Sequence, residues 1–430
     1  MTTIPRLPFV PDPLGRIRVP RDLTSATTIG DEVDPASVGL SERRLERIWS
    51  AARSLYRSGV HPAVQLCVRR HGQVVLNRSL GHARGNGPAD GPEVPKVLAT
   101  PDTPFCVYST SKGITALVVH MLHERGELDI FDRITRYIPA YGALGKERTT
   151  IAHVLAHRAG VPTIPKAMMD LDRAGDREFI VRTLCEAKPF AKPGTLLSYH
   201  ALSGGFILGE IVQRVTGKGI RDVLADEILD PLHFRWGNYG VAPEDVAQVG
   251  LAYRTGPRLL PPLSNLVRRA LASSVEDAVT LTNDPRFLTS VMPAASVITT
   301  SDELSRFFEI FRRGGELDGV RVMKPETVRR AVGQQAHLEI DFTLGFPVRY
   351  SYGLMLGAQL LSLYGRDTDL AFGHLGLINI VGWADPERAI SCGLITSGKA
   401  IIYPELPRFY GLMQRIAAEI PKIPECELLF

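Results

Sequence analysis

The sequence predicts an α/β protein of the α+β kind: an antiparallel sheet flanked by helices, with a mostly helical lobe inserted. Three observations carry this. The chain has 430 residues, long for one simple core and enough for two lobes. Its apolar periodicity runs helix and strands, then helices, then strands and a helix, so sheet-forming segments lie towards both ends. The first two strand-like runs are joined through His71-Gly72 alone, a hairpin signal. The division that follows is an extended N-terminal arm over 1–35, a discontinuous α/β domain from 36–108 and 290–430, and a mostly helical domain over 109–289.

Each element has its own signature. In the arm, prolines at 5, 8, 11, 13, 20 and 35 block regular hydrogen bonding, so it should lie across the body or stay partly mobile. Ser41 caps a helix whose Leu45, Ile48, Ala52 and Leu55 recur at helical spacing, and Gly59 and Pro62 end it. Residues 63–70 and 73–80 are the hairpin strands, and 81–104 is a Gly/Pro/Asp loop. The apolar run 114–122 reads as a buried helix. Thr150 caps a short helix over 151–157, and amphipathic helices follow over 176–188, 200–216 and 219–229. Residues 238–292 read as loop because of their prolines, with a small amphipathic stretch at 259–271. A helix over 302–313 has Ser301 as its cap. Strands are expected at 352–361, 370–372, 378–384 and 389–397, and a last helix at 404–420.

Composition removes several function classes. A net charge of +4 with no Lys/Arg block gives no case for nucleic acid. The five cysteines (Cys67, Cys106, Cys185, Cys392 and Cys426) are odd in number and lack a C-x-x-C pair, which argues against a disulfide scaffold and a zinc site. Residues 1–20 hold no apolar core of signal-peptide length, and no apolar run reaches the ~18 residues that span a bilayer. A cytoplasmic protein without an integral membrane segment is the expectation, with peripheral lipid contact left open. Oligomeric state is not legible.

The chemistry-bearing stretch is Phe105-Cys106-Val107-Tyr108-Ser109-Thr110-Ser111-Lys112-Gly113. If a helix follows, Ser109 and Lys112 stand one turn apart on the same face, close enough for an amine to take the hydroxyl proton. Serine-x-x-lysine at a strand-to-helix junction is a nucleophile signature, though a four-residue match is weak alone. The other reading of Lys112, a solvated helix lysine, sits badly with apolar 113–119.

The wider chain resembles the serine β-lactamase-like superfamily, and within it the esterases related to class C β-lactamases, the family VIII carboxylesterases. The resemblance runs from about residue 40 to 425. Besides Ser109-Thr110-Ser111-Lys112 it rests on Gly126-Glu127-Leu128-Asp129, on Tyr137-Ile138-Pro139, and on the segment from Ile151 to Pro162. Pro193-Gly194 ahead of Ser198-Tyr199, Gly209-Glu210, Thr299-Thr300-Ser301-Asp302, Tyr352-Gly353-Leu354 and Gly373-His374-Leu375-Gly376 follow in family order.

The resemblance implies a β-lactamase/transpeptidase-like fold and a serine hydrolase working through an acyl-enzyme. Ser109 is then the nucleophile, with Lys112 and Tyr199 moving its proton. The N–H groups of Ser109 and Leu377 form the oxyanion hole. His374, Gly376, Tyr108 and His200 contact substrate. No metal or cofactor is implied, and the partner is a small-molecule ester with a short to medium acyl chain.

Two departures from the family shape that expectation. Tyr199-His200-Ala201 lacks the asparagine of tyrosine-x-asparagine, and His374-Leu375-Gly376 replaces lysine-threonine-glycine. Both weaken β-lactamase and D-amino-acid peptidase readings and favour esters. An acyltransferase with the same site, and a penicillin-recognising-like binding protein without turnover, remain as alternatives. Ala294-Ala295-Ser296 stands where relatives often carry paired glycines, which makes that wall bulkier. No Gly-x-Ser-x-Gly elbow occurs. His120 and His123 read as packed or exposed residues, not metal ligands, His153 and His157 as packing and hydrogen-bonding residues, and 259–271 reads equally as pocket lining or surface loop.

Overall fold

The computed structural model describes residue 12 and residues 14–271, 273–404 and 406–424. In chain order the strands of its main sheet are β1 (Thr27–Ile29), β2 (Ala63–Arg70), β3 (Gln73–Arg84), β4 (Ala336–Ile340) and β5 (Pro347–Tyr350). They continue with β6 (Met355–Leu356), β7 (Phe372–Leu375), β8 (Val381–Asp385) and β9 (Ile390–Thr396), and the short strand Val97–Leu98 pairs with β3 beside this row. The order across the sheet is β1-β3-β2-β9-β8-β7-β6-β5-β4. Each neighbouring pair is antiparallel. The predicted hairpin forms: β2 and β3 turn at His71 and Gly72, both at positive φ (50° and 85°), as a tight hairpin turn of this hand requires. The seam between the two chain ends is β2 against β9, with Val64 opposite Thr396 and Arg70 opposite Ile390.

The helices used below are α1 (Glu42–Tyr56), α2 (Ser111–Glu124), α3 (Ser203–Thr216), α4 (Val275–Thr282), α5 (Ser301–Arg312) and α6 (Pro407–Glu419). Helices α1 and α6 pack together against the sheet through Trp49, Tyr56, Leu412 and Ile416. Helix α5 packs on β8 and β9. It comes so near that a Cβ on Gly382 would lie 2.2 Å from the Phe308 ring, and one on Gly393 2.2 Å from the Ser301 carbonyl. Helix α2 is buried from Ser111 to Leu122, which accounts for its apolar sequence without an exposed polar face.

The structure departs from the sequence reading in several places, one of them the cap of α5, which is Thr300, accepting from Glu303 N–H at 3.2 Å, and not Ser301. The arm, as far as it is described, lies across the body as one expectation had it, with Ile17 and Leu23 buried, but it also forms regular structure: β1 adds an edge strand in the proline-free interval after Pro20. Residues 1–11 and 13 of that expectation lie outside the described residues. The stretch 238–292 is not loop throughout but holds the helices Leu263–Leu271, α4 and Pro285–Leu288. Pro285 occupies a first helical position, where the missing N–H costs nothing, and Ser274 and Asp284 cap through their side chains. The strand expected at 352–361 shrinks to β6, while β4 and β5 go unanticipated, because β4 is half-exposed and lacks an apolar run.

Candidate active site

Ser109 sits in a single 3₁₀ turn, Tyr108–Thr110, between the strand Phe105–Cys106 and α2. The strand pairs with Val297–Thr299. Tyr108 enters the turn at φ +49°, a left-handed conformation that a bulky residue adopts only when its surroundings enforce it. Ser111, the second serine of the motif, is the enforcing contact: its hydroxyl donates to the Tyr108 carbonyl and accepts from Val297 N–H at 3.1 Å. The Tyr108 hydroxyl is tied to Thr282 on α4 at 2.9 Å.

Lys112 is buried one helical turn on. Its Nζ lies 3.0 Å from Ser109 Oγ, 2.8 Å from the Ala201 carbonyl and 3.0 Å from the Ala294 carbonyl. Burial pushes its pKa well below the ordinary lysine value. A neutral amine has two N–H groups and one lone pair. With the two carbonyls taking the N–H groups, the lone pair is left for the Ser109 hydroxyl. Ala201 and the Ala294-Ala295-Ser296 segment thereby bracket the amine, and Ala295 lines the pocket beside it.

Tyr199 closes the third side. Its ring centroid is 4.8 Å from Lys112 Nζ, and it lines the same pocket as Ser109. Burial moves its pKa up, opposite to the lysine, so the phenol keeps its proton where the amine has lost one. The segment carrying Tyr199 is held from two directions. Asp341 Oδ1 accepts from the N–H groups of Tyr199, Thr343 and Leu344 at 3.1, 2.8 and 3.0 Å. His157 accepts from His200 N–H at 3.1 Å through Nδ1. Sequence reasoning missed Asp341, because no motif surrounds it and its partners are 142 positions away or within one turn.

His374 and Gly376 stand on β7 and the turn after it, facing the Ser109 turn. The Thr110 hydroxyl donates to the His374 carbonyl at 3.4 Å, and a Cβ on Gly376 would meet the Val107 carbonyl at 2.4 Å. Only glycine lets the two backbones come this close. Nδ1 of His374 lies 2.8 Å from the Leu375 carbonyl, so it is the protonated nitrogen; Nε2 is buried with no hydrogen-bond partner among the described residues. Burial and the nearby Lys112 lower its pKa to about 3, which leaves a neutral ring with Nε2 as an acceptor. His200 is elsewhere: it stacks on His157 at 5.6 Å between ring centroids and is absent from the lining of the pocket that holds Ser109.

That pocket is an apolar cavity of about 250 Å³. Tyr108, Ser109, Tyr199, His374, Gly376 and Leu377 line it together. Met168, Leu281, Phe287 and Met292 line one wall, and Leu344, Phe346 and Met355 another. Of the 238–292 stretch, α4 and the short helix after it supply wall residues, whereas 259–271 supplies none among the described lining. His120 and His123 direct ring nitrogens at the carbonyls of Tyr352 and Leu128, at 2.9 and 3.3 Å.

A serine and a buried lysine sharing a helix turn beside an antiparallel sheet define a serine hydrolase of the β-lactamase and penicillin-binding-protein kind. The sequence profile of the Beta-lactamase family matches residues 50–402, and the chain belongs to that family. It is 28% identical over 314 residues to the esterase/beta-lactamase LipL of Mycobacterium tuberculosis, covering 68% of this chain and 69% of that one. Its fold is similar to a penicillin-binding protein homolog from Caulobacter crescentus (TM-score 0.73, 22% identity, 89% and 99% of the two chains). It is also similar to a family VIII carboxylesterase (TM-score 0.71, 24% identity, 88% and 98%). Among the described residues no helix is long and apolar enough to cross a membrane.

Proposed function

We propose that the protein is a carboxylesterase that cleaves short- to medium-chain esters through an acyl-enzyme on Ser109. The observation that carries this is the bracketed amine of Lys112, whose remaining position faces Ser109 Oγ at 3.0 Å. Lys112 takes the serine proton as the alkoxide attacks the ester carbonyl. The N–H groups of Ser109 and Leu377 receive the oxyanion; losing one such donor costs ~3 kcal/mol of transition-state stabilisation. Tyr199, still protonated, passes a proton to the leaving alcohol and is resupplied from Lys112. In the second half a water replaces the alcohol and the same groups run in reverse. His374 Nε2 is an acceptor at the cavity wall, suited to an O–H of the leaving alcohol or of the incoming water.

Esters are favoured over β-lactams on the lining. The cavity is apolar, and neither Ala201 nor His374 offers the amide or ammonium that a β-lactam's polar arms need. The carboxylesterase neighbour supports the ester reading, while the esterase/beta-lactamase relative is compatible with either substrate. The test is a panel of nitrophenyl esters of rising acyl length, run beside a chromogenic cephalosporin, on wild type and Ser109→Ala. Wild type should turn over short and medium esters far faster than the cephalosporin, and Ser109→Ala should turn over neither. Ester hydrolysis retained by Ser109→Ala would falsify the assignment. Acid release that falls while a new ester forms, when an alcohol is added, would move the reading to an acyltransferase.

A further inference from the structure

A second buried lysine lies behind the site and takes no part in the steps above. Lys399 is 1% exposed, just past the end of β9. Its Nζ donates to the Leu377 carbonyl at 3.1 Å and to the Thr396 carbonyl at 2.7 Å, and sits 4.8 Å from the centroid of the Tyr108 ring. One amine therefore touches the residue before Ser109 and the carbonyl of Leu377.

The turn it holds needs holding. Residues 376–380 connect β7 to β8, closed by Gly376 N–H on the Ile380 carbonyl at 2.7 Å. Ile378 and Asn379 both have left-handed φ, 54° and 58°. For a β-branched isoleucine this is strained and persists only where neighbours over-determine it. Besides Lys399, the Thr396 hydroxyl donates to the Ile378 carbonyl at 2.9 Å, and Asn379 Nδ2 donates to the Tyr403 hydroxyl at 2.8 Å.

We infer that Lys399 is a positioning residue, which pins the 376–380 turn to the Tyr108 ring so that the N–H groups of Leu377 and Ser109 converge on one oxygen. This rests on the proposed oxyanion role of those two residues. An ammonium holds two carbonyls more tightly than a neutral amine does. Burial lowers the Lys399 pKa to about 7, with Cys106 acting the other way. The titratable groups around it are His61, Cys106, Tyr108 and, through Asn379, Tyr403. Burial and Lys399 hold His61 neutral, near 3, and burial raises the Cys106 thiol to about 11 and Tyr108 further, so Lys399 is the one of these that changes charge near neutrality. The charged form exists below about pH 7 and is lost above it. Turnover should therefore decline on the alkaline side as the turn loosens.

The experiment is the pH dependence of kcat and KM, followed by acid release from a short-chain ester, for wild type, Lys399→Met and Lys399→Arg. For Lys399→Met we expect kcat at pH 6 to fall about tenfold or more, with KM within about twofold and no alkaline decline centred near 7. Lys399→Arg keeps its charge throughout and should retain more of kcat, also without that decline. A wild-type kcat and profile in Lys399→Met overturns the proposal; if that variant does not fold, a decline persisting unchanged in Lys399→Arg overturns it. Labelling by a serine-directed phosphonate separates this from the site itself. Lys399→Met should still be labelled, more slowly, whereas turnover surviving in Ser109→Ala removes the reading on which the proposal rests.

Discussion

At the scale of single residues, the proposed mechanism depends on a lysine kept uncharged where a lysine is normally charged. The carbonyls of Ala201 and Ala294 hold the amine, and burial supplies the shift. The linkage has a definite sign. A lysine whose folded pKa is lowered binds fewer protons folded than unfolded between that value and the ordinary 10.5. Across that window folding becomes more favourable as pH rises. The wild type should thus gain thermal stability over Lys112→Met as pH is raised from 7 towards 10, measured as the difference in melting temperature. A difference constant with pH would mean that the amine is charged in the folded protein. The same variant should lose esterase activity nearly as fully as Ser109→Ala, because groups that act as one unit are not additive. Ser109, Lys112 and Tyr199 were legible because each stands in a local pattern: a spacing of three, an apolar helix behind it, a Pro-Gly turn ahead of a helix. Asp341 and Lys399 were not. Their partners, Tyr199 and Leu377, come from other segments, and neither residue stands in a pattern that names the partner.

At the scale of elements, α4 joins the Ser109 turn to a wall of the cavity. Thr282 ties down the Tyr108 hydroxyl, and Leu281, one residue earlier, faces the cavity. The sequence hid this helix, since prolines 257, 261, 262 and 285 flank its surroundings and argue for loop. Prolines outside a helix or at its first turn do not oppose it, so proline counting alone misjudged the stretch. In an apolar cavity of about 250 Å³, added volume removes room from the longest acyl chains first. Leu281→Trp should lower kcat/KM for the longest accepted ester by about tenfold or more, while sparing the acetate ester. An unchanged ratio across the ester panel would place the acyl chain against the Leu344, Phe346 and Met355 wall instead.

At the scale of the molecule, the arm braces the sheet edge and the back of the site together. Ile17 N–H donates to the Gly59 carbonyl at 2.7 Å, β1 pairs with β3, and Glu32 holds Arg78 with 2.7 Å contacts to Nε and Nη2. Gly15 accepts from Gly256 N–H at 3.3 Å, and Gly256 lies against Ala400, the residue after Lys399. Proline content announced an extended segment, but the alternating contacts that dock it depend on surfaces assembled from the rest of the chain. Deleting residues 1–30 removes, among the described residues, the buried side chains of Arg16, Ile17, Leu23 and Ala26; Ile17 and Leu23 alone are each worth about 1.5–3 kcal/mol, so at least roughly 3–6 kcal/mol of stability should go. The melting temperature should drop accordingly. Water reaching the Lys399 side would also relieve the burial that lowers its pKa, so the alkaline decline in kcat should move to higher pH in the truncated protein. A truncated protein that melts with the full chain would show that the arm rests on the body without stabilising it. One that melts early yet keeps its decline near 7 would show that Lys399 stays buried without the arm.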